Sequence, residues 1–322
     1  MLSSSQPLFR TLVDLPAPPR PLLAPSHRLL LMGSCFASHV GEQLVDALPE
    51  GQVVVNPFGV LYNPLSICRA LTLLMEDTFP AERYIFRGEE GLWHSSLHSG
   101  DFSAPTREAC VAAIEKAFRP AAHLLETVDM LCLTWGTAYV YEWADSHEVV
   151  GNCHKVAAQR FVTRRLSIDE IVEEMETLLT RLRQRRPQLQ VVLTVSPYRY
   201  AKWGYHTSTL SKSVLHLAAE RLTQQVEGVH YFPAYEIVMD ELRDYRFYDD
   251  DMLHPSAGAT RYVGQRFAAW AFSDRLREYA ADRRKILQAL RHRLLHPDSE
   301  EARRFRAHLE VLQREFQRKW ET

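Results

Sequence analysis

The chain has 322 residues, with 38 Lys and Arg against 40 Asp and Glu and a formal net charge of −2. That balance offers no basic field for nucleic acid or an anionic membrane surface, and no apolar run approaches the roughly 20 residues of a transmembrane helix. The five cysteines are odd in number, scattered and without C-x-x-C spacing, which suits reduced thiols in a cytoplasmic protein.

Residues 1–27 are rich in proline and are expected to form an extended arm. Prolines interrupt the apolar stretch from Leu12 to Leu23, so no secretory leader is expected. From residue 28 to 272 short apolar segments alternate with amphipathic ones. Strands are predicted at His27–Met32, Gln52–Asn56, Val128–Trp135, Gln190–Val195 and Val229–Phe232. Helices are predicted at Phe36–Leu48, Pro64–Met75, Arg107–Phe118, Ser167–Arg185, Ser208–Val226 and Ala257–Trp270, with Ser167-Ile168-Asp169-Glu170 as a capping-box start. Such alternation implies a mainly parallel sheet covered by helices on both faces, a three-layer α/β/α sandwich whose ligands sit beyond the carboxyl ends of the strands. Apolar segments flanking Gly88-Glu89-Glu90-Gly91 suggest a hairpin insertion at about 83–96. Residues 273–322 are charged, with apolar residues at helical spacing on both sides of His296-Pro297-Asp298. They read as a helical C-terminal extension of two helices, a surface suited to packing on the domain or to homo-oligomer formation.

Two motifs carry chemistry. Gly33-Ser34-Cys35-Phe36 lies between the first strand and the first helix. A thiol there meets the free N–H groups and positive dipole end of the helix, which should lower its pKa below the free value of about 8.5. A small buried cysteine is the simpler account of such a residue taken alone. The second motif, Asp251-Met252-Leu253-His254, spaces a carboxylate so that it can orient an imidazole, which then serves as general base. Pro255 suits the first turn of the helix that follows.

A nucleophile turn near the amino end, paired with D-x-x-H before the last domain helix, resembles the layout of the SGNH/GDSL hydrolase superfamily. The chain is more closely similar to GSCFA-domain proteins, whose motif reads here Gly33-Ser34-Cys35-Phe36-Ala37. Further matching segments are Asn56 to Pro64, Gly136 to Tyr141, Asn152-Cys153-His154-Lys155, Thr194 to Pro197, Ser211-Lys212, Phe232 to Glu236 and Asp251 to Ser256, together spanning about residues 28 to 270.

The resemblance implies roles for individual residues. Aligning Gly33 with the glycine of Gly-Asp-Ser-Leu places Cys35 at the nucleophile position and Ser34 beside it. Cys35 is favoured, with Ser34 kept as the alternative. The Cys35 N–H and Gly59 are the expected oxyanion donors. The superfamily's asparagine after the third strand is missing, because the turn reads Gly136-Thr137-Ala138. The Thr137 hydroxyl and Asn152 are the candidates to replace it. Asn63, His98 and His154 fall in segments expected to line the substrate pocket, as does His94. Trp135, Trp143 and Trp203 are candidates for stacking on a sugar, with core packing an equally good reading of Trp135, and Arg199 is a candidate for holding an anionic group. No metal is expected, since the histidine and cysteine spacing fits no compact zinc pattern.

The leading expectation is an acyl-transfer enzyme, an acyl esterase or O-acyltransferase acting on a small molecule or a carbohydrate through a Cys35–His254–Asp251 triad. No cofactor is implied. An acyl-CoA donor is compatible with the chemistry, but no glycine-rich phosphate loop supports one. The alternatives are a Ser34-dependent esterase and a catalytically inactive binding module of the same fold.

Overall fold

Five apolar segments pair side by side because strands this short and this apolar must bury both faces. In the computed structural model, which describes residues 11–296 and 298–320, they are β1 (Leu29–Gly33), β2 (Val53–Val55), β5 (Met130–Trp135), β9 (Gln190–Val195) and β10 (Val229–Tyr231). Every pairing in the sheet is parallel, and the spatial order is β10-β9-β5-β1-β2. Residues 1–10 of the expected arm, Pro297 of the expected linker and residues 321–322 lie outside the described residues.

The period-2 alternation of the strands divides the core. Leu30, Met32, Leu131, Leu133, Val191 and Leu193 face one helical layer. That layer is built from α2 (Pro64–Met75), α4 (Arg107–Leu125), α5 (Ile168–Arg185) and α6 (Tyr205–Gln225). Leu29, Leu31, Met130, Cys132 and Val192 face the other. It comprises α1 (Cys35–Ala47), α8 (Ala257–Ala271) and α9 (Asp274–Arg291), with the short α7 (Ala234–Glu236) beside them. The result is the three-layer α/β/α sandwich expected from the sequence.

Local signals explain the helix starts. Asn63, Thr106, Ser167 and Ser256 each accept a backbone N–H from the first turn that follows. Two helix boundaries differ from expectation, and α6 begins at Tyr205 ahead of the expected Ser208. Helix α4 runs through Pro120 to Leu125 instead of stopping near Phe118. Phe118, Ala121, Ala122, Leu124 and Leu125 are all buried in the core, and that burial outweighs the cost of an interior proline.

Smaller elements decorate the sheet. After α3 (Ala81–Tyr84), β3 (Ile85–Arg87) and β4 (Trp93–Ser95) pair antiparallel. A three-stranded antiparallel sheet was not expected from the sequence; in it β6 (Tyr139–Trp143) lies between β7 (Val149–Val150) and β8 (Phe161–Arg165). Its aromatic residues pair across strands, Trp143 stacking on Phe161 at 4.7 Å. The amino-terminal segment is tied to α8 through Trp270 Nε1 to Pro16 O at 2.8 Å, and Leu23 bridges Phe272. Helix α9 buries Leu276, Tyr279 and Ala280 against the domain, and α10 (Glu300–Trp320) lies along α9. There Tyr279 meets Phe316 at 5.2 Å, and Lys319 pairs with Glu278 and Asp282. Among the described residues no helix is long and apolar enough to cross a membrane.

Candidate active site

The first crossover brings Cys35 to the carboxyl edge of the sheet. Gly33 has φ +146°, and a Cβ on it would lie 2.2 Å from the carbonyl oxygen of Thr134, so only glycine lets β1 approach β5 this closely. The side chain of Asn56 ties the turn down, accepting Gly33 N–H at 2.8 Å and donating to Ser38 Oγ at 2.8 Å. The chain then enters α1 with Ser34 as N-cap and Cys35 as the first helical residue.

Ser34 is fully buried, and among the described residues its hydroxyl has no hydrogen-bond partner. Cys35 is partly exposed. Burial raises its thiol above the ordinary value. The N–H groups of Phe36 and Cys35 and the charge of Lys212 oppose that rise, while Asp251 adds to it. The net direction corrects the expectation of a depressed thiol, because loss of solvent outweighs the helix end.

The 251–254 loop is held by its own aspartate. Asp251 Oδ1 accepts the N–H groups of Leu253 at 2.8 Å and His254 at 2.9 Å. Its Oδ2 meets His254 Nδ1 at 2.5 Å. The His254 hydrogen bonds, led by the side-chain one, hold the Asp251 carboxyl down at about 2. With the proton assigned to Nδ1, Nε2 keeps its lone pair. The imidazole is 42% exposed and packs on Tyr198 at 4.3 Å. Arg199 N–H donates to Leu253 O at 3.3 Å, joining this loop to the one that follows β9. Cys35 and Asp251 lie near enough to interact electrostatically, but among the described residues no hydrogen bond joins Cys35 to His254.

Several expected pocket residues have other work. The Gly59 N–H is spent on Asn56 O at 2.8 Å, so it is not a free oxyanion donor. Gly59 is required instead by φ +71° and by Ser99, whose Oγ would sit 2.0 Å from an added Cβ. Asn63 caps α2, its oxygen accepting Ser66 N–H and its amide donating to Ser66 Oγ. His98 belongs to the core, stacked on Phe58 at 4.5 Å, and burial pulls it down to about 3. His154 is buried, stacks on His94 at 4.5 Å and has its Nε2 on Ser95 O at 2.7 Å. Asn152 accepts the His154 N–H within the same loop. These histidines and amides were legible as polar, but not their solvent access, which depends on what packs over them. Among the described residues no group of three His, Cys, Asp or Glu side chains is placed to hold a metal ion.

Thr137 stands at the carboxyl edge. Its hydroxyl meets Ser211 Oγ at 3.1 Å and accepts Tyr139 N–H, while the Gly136 and Thr137 N–H groups both donate to Tyr62 O. Beside it lies a residue that the sequence reading named only within a family segment. Lys212 is 3% exposed and donates to Gly136 O at 2.7 Å and Ser196 O at 2.6 Å. Burial, assisted by Arg199, pulls its amine down to about 7. The available signal was a lysine within the buried stripe Ser208, Ser211, Leu215, Ala218, Ala219 and Leu222 of α6.

Aromatic rings extend from His254 along this edge. Tyr198 is 6.2 Å from Tyr200, Tyr200 is 5.4 Å from Trp203, and Trp203 is 4.5 Å from Tyr139. Trp135, by contrast, is wholly buried in the core. Arg199 reaches the Tyr235 hydroxyl and Thr209.

Fold and site define a three-layer α/β protein with titratable and aromatic side chains gathered at the carboxyl edge of a parallel sheet. The chain belongs to the GSCFA family, whose model matches residues 28–267. Among curated proteins none matches the chain significantly. Solved structures similar to it include a Streptococcus pneumonia protein provisionally named a platelet activating factor, at TM-score 0.40 and 10% identity, covering 76% of this chain and 84% of that one. A carbohydrate esterase family 3 protein from Talaromyces cellulolyticus gives 0.36 and 11% identity, covering 80% and 99% respectively. An acetyl xylan esterase from the rumen bacterium Butyrivibrio proteoclasticus gives 0.38 and 10%, covering 76% and 63%.

Proposed function

We propose that the chain is an acyl-transfer enzyme, an esterase or O-acyltransferase, that works through a thioester on Cys35. The observation that carries this is the Asp251–His254 pair, whose Nδ1–Oδ2 bond leaves Nε2 open, together with a partly exposed thiol at the head of α1 on which Asp251 acts electrostatically. The Cys35 thiol gives up its proton to His254 Nε2 as its sulfur attacks the carbonyl of an acyl donor, and the departing oxygen takes that proton back from the imidazolium. A hydroxyl of the acceptor then gives its proton to His254 Nε2 and attacks the thioester, freeing the thiolate. The N–H groups of Cys35 and Phe36, which already act on the sulfur, are suited to the oxyanion.

The full burial of Ser34 favours Cys35 over it as nucleophile. The aromatic row Tyr198, Tyr200, Trp203 and Tyr139 supports a carbohydrate as acceptor, since sugar rings stack on such faces. The test is to incubate the full chain with an activated acetyl ester, quench it and look for acetylated Cys35 by mass spectrometry. Acetyl-Cys35 that discharges faster when a sugar is added supports transfer, and acceptor-independent discharge supports plain hydrolysis. No acyl-enzyme with any donor returns the protein to a binding module.

A further inference from the structure

A cavity of about 610 Å³ adjoins the His254 loop and takes no part in the cycle proposed above. Its walls include Arg199 from the loop after β9, Tyr205 at the start of α6, and Arg243, Tyr245, Tyr248 and Met252 from the segment that follows α7. These segments trail the carboxyl ends of β9 and β10, the edge at which parallel sheets place their ligands.

The cavity and the candidate active site share a wall. Arg199 N–H donates to Leu253 O at 3.3 Å and Tyr248 bridges Pro255, so two wall residues grip the neighbours of His254. Met252 lies at φ +58°, a conformation that residues other than glycine adopt at a cost. That one short turn carries both the His254 ring, packed on Tyr198, and the Met252 side chain, which lines the cavity. Tyr205, Tyr245 and Met252 are 59%, 77% and 50% exposed, so three large side chains with apolar surface face solvent around one hollow.

The charge of the cavity is one-sided. Arg199 is set in place by the Tyr235 hydroxyl at 3.2 Å and Thr209 Oγ1 at 3.4 Å, with its guanidinium 5.9 Å from the centre of the Tyr205 ring. These bonds use only part of its five-donor fork, and among the described residues no carboxylate pairs with it. The Arg243 side chain is exposed and has no ion pair or hydrogen-bond acceptor among the described residues. Asp244 is the one acid among the described lining residues, and Arg246 engages it, backbone N–H to Oδ1 at 2.9 Å and Nε to Oδ2 at 3.6 Å. Arg243 alone is an ordinary solvated cation. A second arginine held in place without an acid, and exposed aromatic faces on the same hollow, make the pair a fitting receptor for an anion.

We propose that this cavity is a substrate subsite for an anionic oxygen group, phosphate or carboxylate, carried on a ring or an apolar body. The inference rests on the acyl-transfer reading and adds to it the charge of one substrate. Arg199 and Arg243 hold the anion, Tyr205 and Tyr245 lie against the body, and the Met252–His254 turn connects the subsite to the imidazole. Two kinds of substrate carry such a group: an acyl donor borne on a phosphorylated carrier, and an acceptor sugar with a carboxylate.

The experiment is calorimetric titration of the full chain carrying Cys35→Ala, so that no chemistry intervenes, with coenzyme A as the phosphorylated probe and trigalacturonate as the acidic sugar. At least one of them binds, less tightly as salt is raised, and the one that binds identifies the source of the anion. Arg243→Gln and Arg199→Gln, each added to that chain, weaken this binding on the order of tenfold, and Tyr245→Ala weakens it as well. Arg261→Gln, which removes an exposed arginine of α8 outside the cavity, keeps the affinity. Arg243 has no partner to lose, so its variant decides the question where Arg199→Gln fails to fold. Failure of both probes to bind at millimolar concentration, an unchanged affinity in Arg243→Gln, or an equal loss in Arg261→Gln overturns the inference. Arginine-dependent binding by a protein that never forms acetyl-Cys35 would instead sink the thioester reading and leave the subsite standing.

Discussion

His254 and Asp251 are joined three ways: one carboxylate takes the imidazole Nδ1–H at 2.5 Å, the His254 backbone N–H at 2.9 Å and the Leu253 N–H at 2.8 Å. The aspartate therefore fixes the loop as well as the tautomer. Replacing it by asparagine leaves the loop largely held while removing the carboxylate charge beside the imidazole.

That arrangement ranks the site variants. Cys35→Ala and His254→Ala should each lower turnover of an activated acyl ester on the order of a thousandfold, and Asp251→Asn by less. Ser34→Ala should keep turnover within about threefold. It should also be at least as stable as the wild type, because a buried hydroxyl without a partner costs about 1–3 kcal/mol. Steady-state kinetics with urea melts checks both, and an inactive, folded Ser34→Ala would move the nucleophile to Ser34.

The thiols should label in an order set by access and burial. Cys68, Cys110 and Cys132 are buried and raised by desolvation, Cys132 to about 12, and Cys153 is partly exposed but lifted to about 11. Cys35 should therefore alkylate first at pH 8. Peptide mapping that finds Cys153 ahead of it would count against Cys35 as the more reactive of the two partly exposed thiols.

Two glycines should resist substitution for different reasons. Gly59→Ala forces a side chain onto φ +71° and into the Ser99 side chain, which should cost about 1–3 kcal/mol. Gly33→Ala meets backbone, the Thr134 carbonyl, and nothing can rotate away. It should cost more than Gly59→Ala by thermal or urea unfolding, and the reverse order would mean that β1 and β5 are not locked together as described.

Acid should unfold the protein partly through His98. Its folded value of about 3 lies below the unfolded 6.5, so between these pH values the unfolded chain binds a proton that the folded chain refuses. Stability contributed by neutral His98 is complete above about 6.5 and drains away toward 3, at up to about 1.4 kcal/mol per pH unit. His216, held down at about 4, adds to the same slope. His98→Phe, which preserves the stack on Phe58, should flatten the fall in stability between pH 6 and 4. Equal slopes in urea melts of the two proteins would show that His98 is not neutral and buried.

Much of the architecture was legible because it depends on neighbours in sequence. Alternating apolar strands and amphipathic helices require a covered parallel sheet, and the Ser167 cap and the Gly33 turn follow from a few adjacent residues. Asp251 and His254 were legible for the same reason, being three residues apart on one loop. Solvent access was not. Gly59, Asn63, His98 and His154 have the right chemistry for a pocket, but their hydrogen bonds and burial are decided by Asn56, Ser66, Phe58 and His94 packing around them. Lys212 was missed for the opposite reason. In sequence it is one lysine among many, and only the stacking of α6 over the ends of β5 and β9 strips it of water and sets its amine on Gly136 O and Ser196 O. Periodicity sets which face of an element is buried, whereas desolvation at one point is the sum of every element that converges there, and that sum exists only in the folded chain.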